Sequence, residues 1–227
     1  MALPKLDNPW YPFPHEPKIK FRGFTVKEQK IILQAKQSES MQSQIEAISQ
    51  IISLCSQGKK TDKLPIHIAL MLMLFIRGKS VGEDIDLVHR YEDDEGKTQE
   101  VKFVVSINEV SIKTFDDHKD KFPLTDTIGI CMKAPLLKDM SSMETEGDMT
   151  EMLIKCIDYV YDSNEIYPFS ENSPEDKIAF IEDINQTGYQ NIKHFFETLP
   201  QIYAEKEIEL HDGTKKKIEL KGFQDFF

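Results

Sequence analysis

Between Leu64 and Ile76 nearly every position carries an apolar side chain: Leu64, Ile66, Ile68, Leu70, Met71, Leu72, Met73, Leu74, Phe75 and Ile76. A helix built from such a run has no polar face, so it is stable only when covered on most sides. The stretch from Ile66 to Ile76 contains His67 and is roughly half of the ~20 residues needed to span a bilayer. It therefore predicts a core helix, and the rest of the chain must be layered around it. Asp62 is the expected N-cap, Pro65 lies in the first turn, where a missing N–H costs little, and Gly78 is the expected stop.

The flanking sequence supplies candidate layers. Lys18 to Phe24 alternates charged and apolar residues and reads as a short strand. Thr25-x-x-Glu28 is a capping box, so a helix starts there with Ile31, Ile32 and Ala35 as its stripe. After a polar break at Ser38 to Ser43, Ile45, Ile48, Ile51, Ile52 and Cys55 keep helical spacing, and Gly58 is the expected stop. Alternation at Ile85, Leu87, His89 and Tyr91, then at Val101, Phe103 and Val105, predicts a hairpin turning at Glu92 to Lys97. Residues 107–113 and 128–134 read as further strands, and 138–148 as a surface loop.

The last third turns helical again. Met149, Met152, Leu153, Cys156, Ile157 and Val160 mark one helix face. Ser173-Pro174-Glu175-Asp176 combines an N-cap, a proline at the first position and acids in the first turn. Gly188 is the expected break before a final helix with Tyr189, Ile192, Phe195 and Phe196, ended by Pro200. Asp212-Gly213 between two alternating runs predicts a second hairpin. The fold class is thus α+β: a helical body with two antiparallel β-hairpins and additional short strands. Residues 1–17, with prolines at 4, 9, 12, 14 and 17, read as an extended arm. Residues 18–227 read as a single α+β domain with a sub-boundary near 137–148.

Charge narrows the partners. The 227 residues carry a formal net charge of −11. That argues against a nucleic-acid groove or an anionic membrane as the main partner and permits docking onto a basic protein surface. The dense N-terminal prolines break any secretory apolar core. Cys55, Cys131 and Cys156 are far apart and form no CxxC pair, so a zinc ribbon or a disulfide framework is not expected.

No chemistry stands out. His15, His67, His89, His118, His194 and His211 are scattered, and none lies beside a Gly-x-Ser-x-Gly elbow. Asp116-Asp117-His118 and Asp93-Asp94-Glu95 lack further ligands at metal spacing and read as solvated turns. Gly78-Lys79-Ser80-Val81-Gly82 follows a helix rather than a strand and lacks the earlier glycine of a phosphate loop. The expectation is a chain that is not an enzyme, with no catalytic, cofactor or metal residues.

What the sequence does display is aromatic residues near both ends: Trp10, Tyr11 and Phe13, and Phe223, Phe226 and Phe227. These are the residue types that dominate interface energetics, and they are the candidate partner-binding positions. The competing expectation is that they cover this chain's own core. Strand alternation past residue 222 points Phe223 inward and leaves Phe226 and Phe227 nearer the surface.

Five segments in a fixed order carry a resemblance. They are Lys20 to Lys30, the block Leu64 to Ile76 closed by Arg77-Gly78-Lys79-Ser80-Val81-Gly82-Glu83, then Leu124 to Ile130, Phe195-Phe196-Glu197-Thr198-Leu199-Pro200, and Leu220 to Phe227. Together they resemble the baseplate hub and hub-assembly proteins of T4-type tailed bacteriophages over nearly the whole chain. The resemblance implies a small non-enzymatic tail protein made in the bacterial host cytoplasm, acting on other baseplate or tail proteins as a hub subunit or hub-assembly factor. The alternative it leaves open is a tail assembly chaperone that binds another tail protein, such as the tape measure, and is absent from the virion. Similar proteins often carry cysteine pairs where this chain has Glu92 to Gly96 and His211 to Gly213, so here those turns are expected to close without zinc.

Overall fold

The computed structural model describes residues 6–38, 40–58, 63–93, 95–142, 148–222 and 225–226. The chain opens with a hairpin of β1 (Tyr11–Phe13) and β2 (Glu16–Phe21), so the end of the proline-rich segment folds back on the body. Two helices follow, α1 (Val26–Ser38) and α2 (Met41–Cys55), the second capped by Ser40, whose hydroxyl accepts the Ser43 N–H. The helix ends at Cys55 and not at Gly58. Residues Ser56–Gln57 instead pair with β2 as β3, and Gly58 sits against Lys18, whose carbonyl oxygen lies 2.1 Å from where a Cβ would stand.

The apolar helix α3 spans Ile66–Val81. Its N-cap is Pro65, while Asp62 lies outside the described residues. It runs straight through Gly78 and ends at Gly82, at φ 114°. Gly78 is there for another reason: an added Cβ would come within 2.9 Å of the Ile107 side chain. Ala69 to Leu74 and Ile76 are all buried, as a helix without a polar face requires.

The first expected hairpin is present as β4 (Asp84–Glu92) and β5 (Thr98–Ser106). Ile107–Glu109 is a 3-10 turn rather than strand, capped by Ser106, and only Ser111–Lys113 extends as β6. A four-stranded antiparallel sheet then forms from β7 (Lys121–Pro123), β8 (Gly129–Met132), β9 (Ile157–Tyr161) and β10 (Ile166–Pro168), in the order β10-β9-β8-β7. The helix before β9, α4, covers only Asp148–Cys156, so Ile157 and Val160 belong to a strand instead of the helix face expected for them. Leu137–Ser142 forms a 3-10 turn in part of the expected surface loop.

Helices α5 (Pro174–Glu182) and α6 (Gln186–Glu197) follow, with Ser173 capping the first as expected. The break between them falls at Asp183 to Asn185, not at Gly188. Gly188 lies in the first turn of α6 and donates its N–H to Asn185 Oδ1 at 2.8 Å. The chain closes with the second hairpin, β11 (Gln201–Glu209) and β12 (Lys215–Lys221), and β6 pairs on the other edge of β11. With helices and small antiparallel sheets along the whole chain, the fold is α+β.

Most of the buried apolar residues fall into two clusters. One surrounds α3 and draws on residues from Phe13 to Leu137 and again from Ile202 to Phe226. The other lies between the four-stranded sheet and α4 and α6, from Phe122 to Phe195. The two meet where Ile66 donates its N–H to the Pro135 carbonyl at 3.0 Å and Pro65 bridges Leu136.

Candidate functional site

Three of the five singled-out segments come together at the C-terminal end of α3. Arg22 donates to Glu28 Oε1 at 3.0 Å, to the Gly23 carbonyl at 2.9 Å and to the Leu54 carbonyl at 3.2 Å. The other Glu28 oxygen accepts the Thr25 N–H at 2.7 Å and the Thr25 hydroxyl. Burial alone would raise the Glu28 carboxyl, but the bonds from Arg22 and Thr25 outweigh it and hold it down at about 2. Neighbouring Cys55 is free, and burial pushes its thiol up to about 11, so it is an inert core group.

This fixed loop presses on α3. A Cβ on Gly23 would stand 2.7 Å from the Lys79 carbonyl oxygen, so only glycine permits the approach. Phe24 donates its N–H to Ser80 Oγ at 2.7 Å, and Ser80 in turn donates to the Ile76 carbonyl at 2.6 Å. On the far side Glu83 accepts from Lys79 Nζ at 3.1 Å and from Asn108 Nδ2 at 2.8 Å, and these bonds lower its pKa. The Arg77-to-Glu83 segment is thus a joint that locks α3 to the Arg22-Gly23-Phe24 loop and to the 3-10 turn after β5. Its Gly-Lys-Ser element faces neighbouring protein groups.

Beside the joint lies a groove of about 410 Å³. Phe24, Ile32, Met73, Ile85, Leu87 and Phe226 supply apolar lining, and Gln29, Arg77, Asp86 and Asp225 the polar groups. Two apolar residues of its walls face solvent: Leu33 on α1 is 54% exposed and Val81 on α3 is 58% exposed. Neither is among the partner-binding positions expected from the sequence. The available signal was that Leu33 falls beside the Ile32–Ala35 stripe without a burial role, and that Val81 lies past the apolar block.

A second cleft of about 290 Å³ lies between the two cores. It is lined by Leu64-to-Ile76 residues such as Ile66, His67 and Leu70, by Phe196, Leu199 and Pro200 of another singled-out segment, and by Gly222. Burial lowers the pKa of His67, and its Nδ1 has no hydrogen-bond partner among the described residues.

The candidate partner residues divide. Trp10 is 40% exposed, with the Arg22 guanidinium 5.9 Å from its ring. Tyr11 is half-buried on β1 opposite Phe21. Phe13 is fully buried, packed edge-on against Phe21 and Phe75. Phe226 is only 4% exposed and belongs to the first core, which corrects the expectation that it sits nearer the surface. The reason is local: β12 ends at Lys221, Gly222 adopts φ 64°, and Lys221 donates its N–H to Asp225 Oδ2 at 2.6 Å, so strand alternation stops there. Phe223 and Phe227 lie outside the described residues.

Three other histidines form pairs. His118 meets Thr198 at 2.9 Å, His194 meets Asp117 at 3.2 Å, and His211 Nδ1 meets the Tyr91 hydroxyl at 3.0 Å. The Tyr91–His211 contact ties the two hairpins at the turn regions discussed above. Among the described residues, no three His, Cys, Asp or Glu side chains gather as a metal set. Among the described residues no helix is long and apolar enough to cross a membrane.

Comparison with known proteins places the chain in a class. Residues 4–227 match the family model described as T4 bacteriophage base plate protein. The chain belongs to that family, and so to the proteins of the phage tail baseplate. No curated protein and no solved structure matches it significantly.

Proposed function

We propose that this chain is a non-enzymatic protein of the baseplate hub, either a hub subunit or a factor required for hub assembly, and that it acts by protein–protein contact. The observation that carries the reading is the use made of the singled-out segments. Arg22, Gly23, Phe24, Gly78, Ser80 and Glu83 are spent on packing and hydrogen bonds within the joint, and what they frame is an apolar groove with exposed Leu33 and Val81. Exposed apolar residues beside a well-fixed joint suit a surface that is covered in an assembly. Trp10 and Tyr11, with the other aromatic residues of the two ends, contribute to docking in this reading. Its partners are other baseplate or tail proteins, and its places of work are the host cytoplasm during assembly and, as a hub subunit, the tail baseplate of the virion.

A second reading is a chaperone that holds another tail protein, such as the tape measure, and leaves before the particle is complete. The net charge of −11 favours it, since a strongly charged carrier keeps an apolar client soluble. Mass spectrometry of purified virions beside the infected lysate separates the two. A hub subunit is found in both at stoichiometric level, a departing factor only in the lysate. Complete baseplates formed in infections lacking the chain would defeat both.

A further inference from the structure

The groove beside the joint has a chemistry that specifies its occupant. Its floor is the buried side chains of Met73, Ile85 and Phe226, and its lips are the exposed Leu33 and Val81. Two carboxylates, Asp86 and Asp225, and one guanidinium, Arg77, complete it. Arg77 is already engaged: it donates to the Asp84 carbonyl at 3.1 Å and is drawn electrostatically by Asp86. Among the described residues Asp225 accepts the Lys221 backbone N–H at 2.6 Å. Among the described residues no lysine or arginine forms an ion pair with Asp86 or Asp225 within 4.0 Å. The groove therefore keeps an excess negative charge on a chain that is itself strongly acidic.

We propose that this groove docks an apolar segment of another tail protein, with a lysine or arginine placed to meet Asp86 and Asp225. The inference rests on the baseplate reading and names the chemistry of its contact. The apolar side chains of that segment enter between Leu33 and Val81, where burial of exposed aliphatic surface on both sides drives association. The basic residue meets the two carboxylates at the rim, where charge sets partner choice and encounter rate more than affinity. A second copy of this chain is a poorer occupant, because two surfaces of net charge −11 repel.

The test is photocrosslinking during infection. Leu33→p-benzoylphenylalanine is supplied in cells infected by a phage lacking its own copy, and the crosslinked peptide is identified by mass spectrometry. The same crosslinker at Ile178, an exposed position on α5, is the control. The expected product joins Leu33 to a segment of a different tail protein that is apolar and carries a lysine or arginine. Asp86→Lys lowers its yield several-fold without changing the melting temperature. A crosslink to a second copy, a crosslinked segment without a basic residue, or a yield unmoved by Asp86→Lys overturns the proposal. So does a Leu33 variant that assembles baseplates yet crosslinks to nothing. The baseplate reading fails in a different experiment, when infections lacking the chain assemble complete baseplates.

Discussion

Arg22 holds Glu28 at 3.0 Å in a setting that leaves the Glu28 side chain only 6% exposed. The pair anchors the loop that leans on α3, so its loss propagates to the groove. The folded-state carboxyl is depressed from the ordinary 4.5 to about 2. A depressed carboxyl contributes stability above its unfolded pKa and loses it as pH falls through the folded value. The contribution is about 3 kcal/mol, present at neutral pH and lost on acidification from the unfolded value toward the folded one. In Glu28→Gln that portion of the acid limb is absent. Urea melts of parent and variant across this window check it, and parallel curves would contradict it.

Gly23→Ala should destabilise the chain by about 1–3 kcal/mol, because the new methyl meets the Lys79 backbone and not a side chain that can swing away. The effect is read as a lower thermal midpoint. An unchanged midpoint would mean that the loop lifts off α3 without cost.

Leu72 is fully buried at the centre of α3. Leu72→Asp places a charge there with no partner and should prevent cooperative folding. A soluble variant with a sharp melting transition would show that this helix is not the centre of the core.

Phe226→Ala should cost about 3–5 kcal/mol, the range for removing a buried phenylalanine. It removes a side chain that belongs to the first core and also floors the groove. Calorimetry measures the loss. A neutral substitution would mean that Phe226 leaves the core in solution.

Tyr91→Phe removes a hydroxyl that meets His211 Nδ1 at 3.0 Å and accepts the His211 N–H at 3.1 Å. Both residues are at the surface, so the global cost should stay within about 1 kcal/mol. The local signature is faster amide exchange at His211, measured by hydrogen exchange with the melting temperature nearly unmoved. Equal exchange in both proteins would show that the hairpins are joined by packing alone.

The strong local signals in the sequence translate directly into structure. The Thr25-x-x-Glu28 box and the Ser173-Pro174 start open α1 and α5, and both long hairpins form where alternation and turn residues put them. Three of the strands that escaped, β1, β7 and β10, are three residues long, lie at sheet edges and each contain a proline. An edge strand tolerates proline because one side of its backbone needs no partner, but in sequence the same residue reads as a break. The error at Ile157 and Val160 has a different source. Nothing local stops α4 at Cys156, and the strand is imposed by pairing with β8 and β10 on either side. The candidate site was legible as segments only. That Arg22 to Phe24, Arg77 to Glu83 and Asp225–Phe226 adjoin one groove depends on long-range packing of α3, which no local pattern encodes.

The pairing of Gln201 with Lys113, Ile202 with Ile112 and Tyr203 with Ser111 has a mechanical consequence. The chain runs on from Lys113 toward the second core and comes back from it at Gln201, so both strands of this ladder lead out toward the second core at the same end. A tensile load on the second core would act on the ladder by peeling, one residue pair after another, and not by shearing all three together. The Ile66–Pro135 bond and the Pro65–Leu136 bridge form a parallel strut at the foot of α3. Tension between the two halves therefore falls on this ladder, which can unzip stepwise, together with the strut and the Leu137–Ser142 turn packed on α2.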